Sequence, residues 1–181
     1  MLLVFVPVLG LYLAHAPVLR HDLFPRLDRP LDRGATFRGR RVFGDNKTWR
    51  GAIVMGGGVF VAAIALSAWP AYWDALPDGI RSAGPVPFGA LLALGVVVGE
   101  LPNSFVKRQL GIGPGAHRRS AAGIVVAIVD QGDLVLGAWI CLLPIWVMSV
   151  AQAALAFVVV TGVHMAINVI GFWIGARRSP L

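Results

Sequence analysis

Apolar residues fall in five long runs along the chain, and the polar stretches between the runs are mostly basic. The runs are Met1–Leu19, about Gly51–Trp69, about Pro87–Phe105, about Ala121–Val147 and about Ala151–Ala176. Each approaches or exceeds the ~20 apolar residues that let a helix cross the hydrocarbon core of a bilayer. The pattern predicts an all-α protein, a polytopic bundle of about five transmembrane helices forming a single domain over residues 1–181. The gap between the fourth and fifth runs is short and uncharged, so hydropathy marks that boundary least sharply. Ala14-His15-Ala16 imitates a signal cleavage site, but no basic stretch precedes the first run, which is expected to stay as a span.

Charge orients the bundle. Of the 16 Lys and Arg residues, only Arg81 falls between the second and third runs; the rest lie after the first, third and fifth. Basic loops stay in the cytoplasm, which puts the N-terminus outside, the C-terminus inside, and cytoplasmic loops at about 20–50 and 106–120. Composition agrees: 57% of residues are hydrophobic and 14% charged, against about 25% charged in a soluble domain. A soluble globular protein is excluded, and the location is a cell membrane crossed several times. The net charge of +7 suits anionic headgroups or phosphorylated substrates. Cys141 is the single cysteine, so no intrachain disulfide can form. The 22 glycines fit close helix packing. Gly56-Gly57-Gly58 could serve a homodimer or contacts within one chain.

The ~30-residue loop after the first run is long for a plain connection. Its segment Phe37–Gly51, FRGRRVFGDNKTWRG, places Lys47 and Arg50 beside the start of a helix, with Thr48 as a cap. Helix N-termini attract phosphate, and Lys and Arg add charge-assisted hydrogen bonds.

Ionisable groups inside spans are costly and default to functional hypotheses. Here they are Glu100 in the third run, Asp130 and Asp133 in the fourth, and His164, with the polar Asn168, in the fifth. At 1.5 Å per residue all lie on the order of 10–20 Å from the cytoplasmic edge, which suggests one shared cavity. Spacing also gathers polar groups on one face of each helix: Glu100, Ser104, Lys107 and Arg108; Asp130, Asp133 and Gly137; His164, Asn168, Gly171 and Gly175. Two carboxylates three residues apart at membrane depth repel each other unless a cation binds or one is protonated. A hard divalent ion such as Mg²⁺ satisfies them, as would a proton or ion relay or an ion pair with Lys107 or Arg108.

The run Arg38–Gly51, the stretch Gly99-Glu100-Leu101-Pro102-Asn103-Ser104-Phe105-Val106-Lys107-Arg108, the tetrad Asp130-Gln131-Gly132-Asp133 and the tail His164…Asn168…Gly175…Arg178…Pro180 resemble, in order, the motifs of the CDP-archaeol synthase family. Two positions depart from its pattern: Glu100 stands where Asp is expected and Phe172 where Tyr is common. The resemblance implies a membrane-embedded, CTP-dependent lipid-phosphate cytidylyltransferase serving phospholipid synthesis. Its substrate would be an archaeol-type ether lipid phosphate or phosphatidate, and its products CDP-lipid and pyrophosphate. Partners would be CTP, the lipid phosphate and the bilayer, with no nucleic acid. In that reading Asp130 and Asp133 hold Mg²⁺, and Lys107 and Arg108 offset phosphate charge. Lys47, Thr48 and Arg50 clamp or cover CTP, Asn103 and Ser104 donate hydrogen bonds, and Glu100 is a second contact to the metal or orients Lys107. His164 and Asn168 stand behind them. The alternative is a small ion or proton-coupled transporter using the same carboxylates.

Overall fold

The computed structural model describes residues 1–113 and 121–173; the side chains of 121–131, 164, 168, 171 and 172 fall outside that description. Five long helices form where five spans are expected. A 3-10 turn at Leu2–Val8, containing Pro7, leads into α1 (Leu9–Arg20). The basic loop follows, with a two-stranded antiparallel hairpin, β1 (Thr36–Phe37) and β2 (Arg40–Arg41). Then come α2 (Trp49–Ser67), the short helices α3 (Pro70–Trp73) and α4 (Asp78–Ala83), α5 (Pro85–Gln109), α6 (Ala121–Leu142) and α7 (Val150–Trp173). Among the described residues, Leu2–Arg20, Trp49–Ser67, Pro85–Gln109 and Val150–Ile167 are each long and apolar enough to cross a membrane. The 22-residue α6 carries Asp130, Gln131 and Asp133 in an otherwise apolar sequence.

The expected fourth span, Ala121–Val147, is corrected at its end. The helix stops at Leu142, and a turn around Pro144 separates it from α7. Leu143–Val147 are apolar, so hydropathy could not see the turn; the proline could have marked it, because it removes a helical donor and clashes with the preceding turn.

The long helices pack in the order α1, α2, α5, α6, α7, and α5 is the centre. Its Phe88, Leu92 and Val96, at i, i+4 and i+8, are fully buried with Val59 and Ala63 of α2 and Leu134, Val135, Ala138 and Leu142 of α6. Two seams are set by glycine. A Cβ on Gly58 of α2 would lie 2.4 Å from the Gly10 carbonyl oxygen of α1, and one on Gly137 of α6 would lie 2.1 Å from the Gly95 carbonyl oxygen of α5. No other residue lets the backbones meet so closely, the usual device for joining helices in lipid. Gly58 and Gly56 of the triple-glycine run thus pack within the chain, while Gly57 faces open space.

The bundle has two unlike ends. At one, the hairpin docks on the last turn of α5: Phe37 meets Phe105 with ring centroids 5.7 Å apart, Gln109 Nε2 donates to the Arg41 carbonyl at 3.2 Å, and Arg40 donates to the Gln109 carbonyl. At the other, α4 lies on the α6–α7 turn, with Gly79 against the Ile145 carbonyl.

Candidate active site at the basic end of the bundle

Gly95, Gly99 and Asn103 recur every four residues and so form one stripe along α5. The stripe faces Gly137 and Asp133 of α6. A Cβ on Gly99 would lie 2.5 Å from the Asp133 carbonyl oxygen, so the two backbones touch there. One turn further on, Asn103 Nδ2 donates to Asp133 Oδ2 at 3.4 Å. Asp133, Asn103 and Ser104 are all buried. The glycine seam is therefore what carries a carboxylate into the bundle and sets it against an amide on the neighbouring helix.

The basic loop supplies the other wall. Lys47 forms an ion pair with Glu100, a partner 53 residues away, and both side chains are only about a fifth exposed. Gly44, at φ 89°, lies against Arg108: a Cβ there would sit 3.2 Å from Cδ and 3.3 Å from Nη1 of the buried arginine. Only glycine combines that left-handed conformation with so close an approach. Lys107 is half-buried on the same turn of α5. Loop and α5 together thus gather Lys47, Glu100, Asn103, Ser104, Lys107 and Arg108, and α6 adds Asp133.

Two expected substrate ligands make contacts within the fold. Thr48 caps α2 by accepting from the Gly51 amide at 3.1 Å. Arg50 is buried and bridges loop carboxylates, donating to Asp22 Oδ1 at 2.5 Å and Asp28 Oδ2 at 2.7 Å. The side chains of Asp130, His164 and Asn168 lie outside the described residues; their backbones belong to α6 and α7.

The sequence reading passed over Asp32, the hub of the loop. Its Oδ1 accepts from the Gly34 amide at 3.0 Å and Arg41 Nη2 at 2.6 Å; its Oδ2 accepts from the amides of Phe43 at 2.9 Å and Gly44 at 3.0 Å. Its side chain is 1% exposed. Burial alone would raise its pKa, but the donors, Arg41 first and then the three amides, outweigh burial and hold it well below the usual carboxylate range. Asp32 and Asp45 in turn hold the Arg41 guanidinium above its ordinary value. The Asp-Arg-Gly sequence at 32–34 is a turn signal that could have pointed to this residue.

Among the described residues, no three of His, Cys, Asp and Glu come together. The described groups at Asp133 are its own carboxylate and the Asn103 amide. Such a set suits a hard cation that keeps phosphate oxygens and water in its shell.

A family model described as CarS-like, CDP-archaeol synthase, matches residues 11–180. The chain belongs to the CDP-archaeol synthase family. It is 37% identical over 162 residues to the CDP-archaeol synthase of Methanoculleus marisnigri, covering 83% of this chain and 89% of that one. It is 35% identical over 155 residues to that of Pyrococcus furiosus, covering 83% of each. It is 33% identical over 156 residues to that of Halobacterium salinarum, covering 84% and 83%. The fold is also that of a solved structure described as an intramembrane enzyme for archaeal membrane lipids biosynthesis, with a TM-score of 0.63 at 24% identity over 92% of this chain and 91% of that one. Membership of this family and the apolar helices make the chain a multi-pass membrane protein.

Proposed function

We propose that this chain transfers the cytidylyl group of CTP to the phosphate of an archaeol-type ether lipid, releasing pyrophosphate. Family membership carries the reading, and the site meets its physical demands. The lipid arrives from the bilayer and the nucleotide from water, so the chemistry belongs where spans and basic loop meet. An oxygen of the lipid phosphate attacks the α-phosphorus of CTP, the bond from that phosphorus to the β-phosphate oxygen breaks, and the electron pair leaves with pyrophosphate. Such transfers depend on positioning and charge neutralisation.

Arg108, buried between α5 and Gly44, is positioned to neutralise phosphate charge, with Lys107 beside it. Lys47 reaches the same end from the loop, held by Glu100 until a triphosphate competes for it. Asn103 orients the Asp133 carboxylate, and Ser104, the next residue of α5, offers a donor. Asp133 and Asp130, one helical turn apart, are the pair that would hold a divalent cation such as Mg²⁺, which would supply charge neutralisation to the phosphates. His164 and Asn168 are assigned to supporting positions on α7. The basic end faces the cytoplasm, with the N-terminus outside.

A transporter needs polar groups along the whole bilayer depth. On α5 and α6 they stop at Glu100 and Asp133, and beyond them the helices close at Gly95 and Gly137. The test is Asp133→Asn in reconstituted protein. CTP-dependent lipid labelling should fall at least about 1000-fold while thermal stability is kept; full labelling would remove Asp133 from the reaction. Offering phosphatidate beside the ether lipid phosphate names the preferred acceptor.

A further inference from the structure

One turn of the basic loop lies outside the residues assigned to the reaction. After α1 ends at Arg20, Asp22 and Phe24 both enter the left-handed region, at φ 46° and 56°. A bulky residue stays there only where its surroundings hold it. Arg50 is that surrounding: beyond its bonds to Asp22 and Asp28, its Nη1 lies 3.5 Å from the Leu23 carbonyl oxygen. The held turn points its apolar side chains outward. Leu23 is 42% exposed and Phe24 56%, and Trp49, at the start of α2, is 44% exposed.

Among the cations of the loop, two sets stand apart. Arg41, Lys47 and Arg50 are drawn inward and paired with carboxylates. Arg20, Arg26 and Arg29 flank the turn, are exposed, and make no ion pair among the described residues. A turn that begins just after a span stands at the bilayer surface. Apolar side chains rimmed by unpaired arginines match the boundary between headgroups and acyl chains in an anionic leaflet. A soluble anion would use the arginines but not Leu23 and Phe24.

We propose that the Leu23–Phe24 turn anchors the basic loop in a leaflet of anionic phospholipid, and that Arg50 is the positioning residue that keeps the turn in shape. The proposal rests on span and loop geometry and stands apart from the chemistry at Asp133.

The test uses the whole chain with Cys141→Ala and Phe24→Cys, the new thiol carrying an apolar fluorophore. The protein is placed in nanodiscs of phosphatidylcholine, alone or with about one-third phosphatidylglycerol, containing lipid spin-labelled at the headgroup boundary. Quenching should be stronger in the anionic discs, and each of Arg20→Gln, Arg26→Gln and Arg29→Gln should lower the inserted-to-free ratio about five-fold. Arg50→Lys keeps the charge but loses the fork that bridges two carboxylates, and should abolish quenching in folded protein. Equal quenching in both lipids, quenching in neither, or full quenching with folded Arg50→Lys overturns the proposal. Should Arg50→Lys fail to fold, the comparison of lipids and the three glutamine variants still decides the anchor.

Discussion

The α1–α2 and α5–α6 seams are made by the same device and put to different uses. In each, glycine lets two backbones meet at a distance any side chain would forbid: Gly10 against Gly58 in one, Gly95 and Gly99 against Gly137 in the other. Along the first seam the neighbouring buried side chains are apolar, Val8, Leu11 and Val59 among them. Along the second, the stripe continues into Asn103 and faces Asp133. Close packing alone therefore does not make a site. It makes one where the register of the seam brings polar groups on two helices to the same depth.

The contrast is broken most directly by giving each seam the same insult. Gly137→Ala and Gly58→Ala should each destabilise the bundle by about 1–3 kcal/mol through overpacking. Gly137→Ala should in addition cut turnover per folded molecule about 100-fold, because it shifts the helix that carries Asp133 by a fraction of an ångström to an ångström. Gly58→Ala should leave turnover per folded molecule unchanged. Thermal melts alongside initial rates in the same bilayer check both, and equal activity losses would erase the distinction between the seams.

A smaller effect sharpens the loop's part. Lys47→Ala should weaken apparent CTP affinity about 10- to 100-fold. Glu100→Gln frees Lys47 and should change CTP affinity in the opposite direction. Nucleotide binding measured by filtration or fluorescence, without lipid acceptor, reads both.

Smaller again is Asp32→Asn, which keeps the shape of the hub and removes its charge. It should cost about 2 kcal/mol of loop stability, seen as faster amide exchange over Gly34–Gly44. The pH dependence has a fixed sign. Because the folded-state pKa of Asp32 is depressed, its contribution is fully present above the unfolded carboxylate value. It is lost only as pH falls through the lower folded value. Loop protection should therefore hold at about pH 4 in the native chain. At the bottom of the scale, Gly57→Ala meets open space and should change stability by no more than about 0.5 kcal/mol.

The spans were legible because lipid forces a long apolar run on every crossing helix, and the α6 stripe of Asp133 and Gly137 was legible because helical spacing puts them on one face. What escaped was pairing at long range. Nothing local links Lys47 to Glu100, or Arg50 to Asp22 and Asp28. Thr48 caps α2 as its position beside the helix start implied, whereas the pairing of Arg50 with Asp22 and Asp28 had no local signal. The end of α6 escaped for a different reason: hydropathy is blind to a turn made of apolar residues.

The decisive measurement follows the reaction itself. Purified protein in bilayers would be given labelled CTP, an archaeol-type lipid phosphate and Mg²⁺, with organic-extractable label and pyrophosphate followed together. CDP-lipid and pyrophosphate should form in equal amounts, both requiring CTP and the lipid phosphate. Pyrophosphate release without labelled lipid, or no product from folded protein with either ether or acyl lipid phosphate, would contradict the proposed transfer.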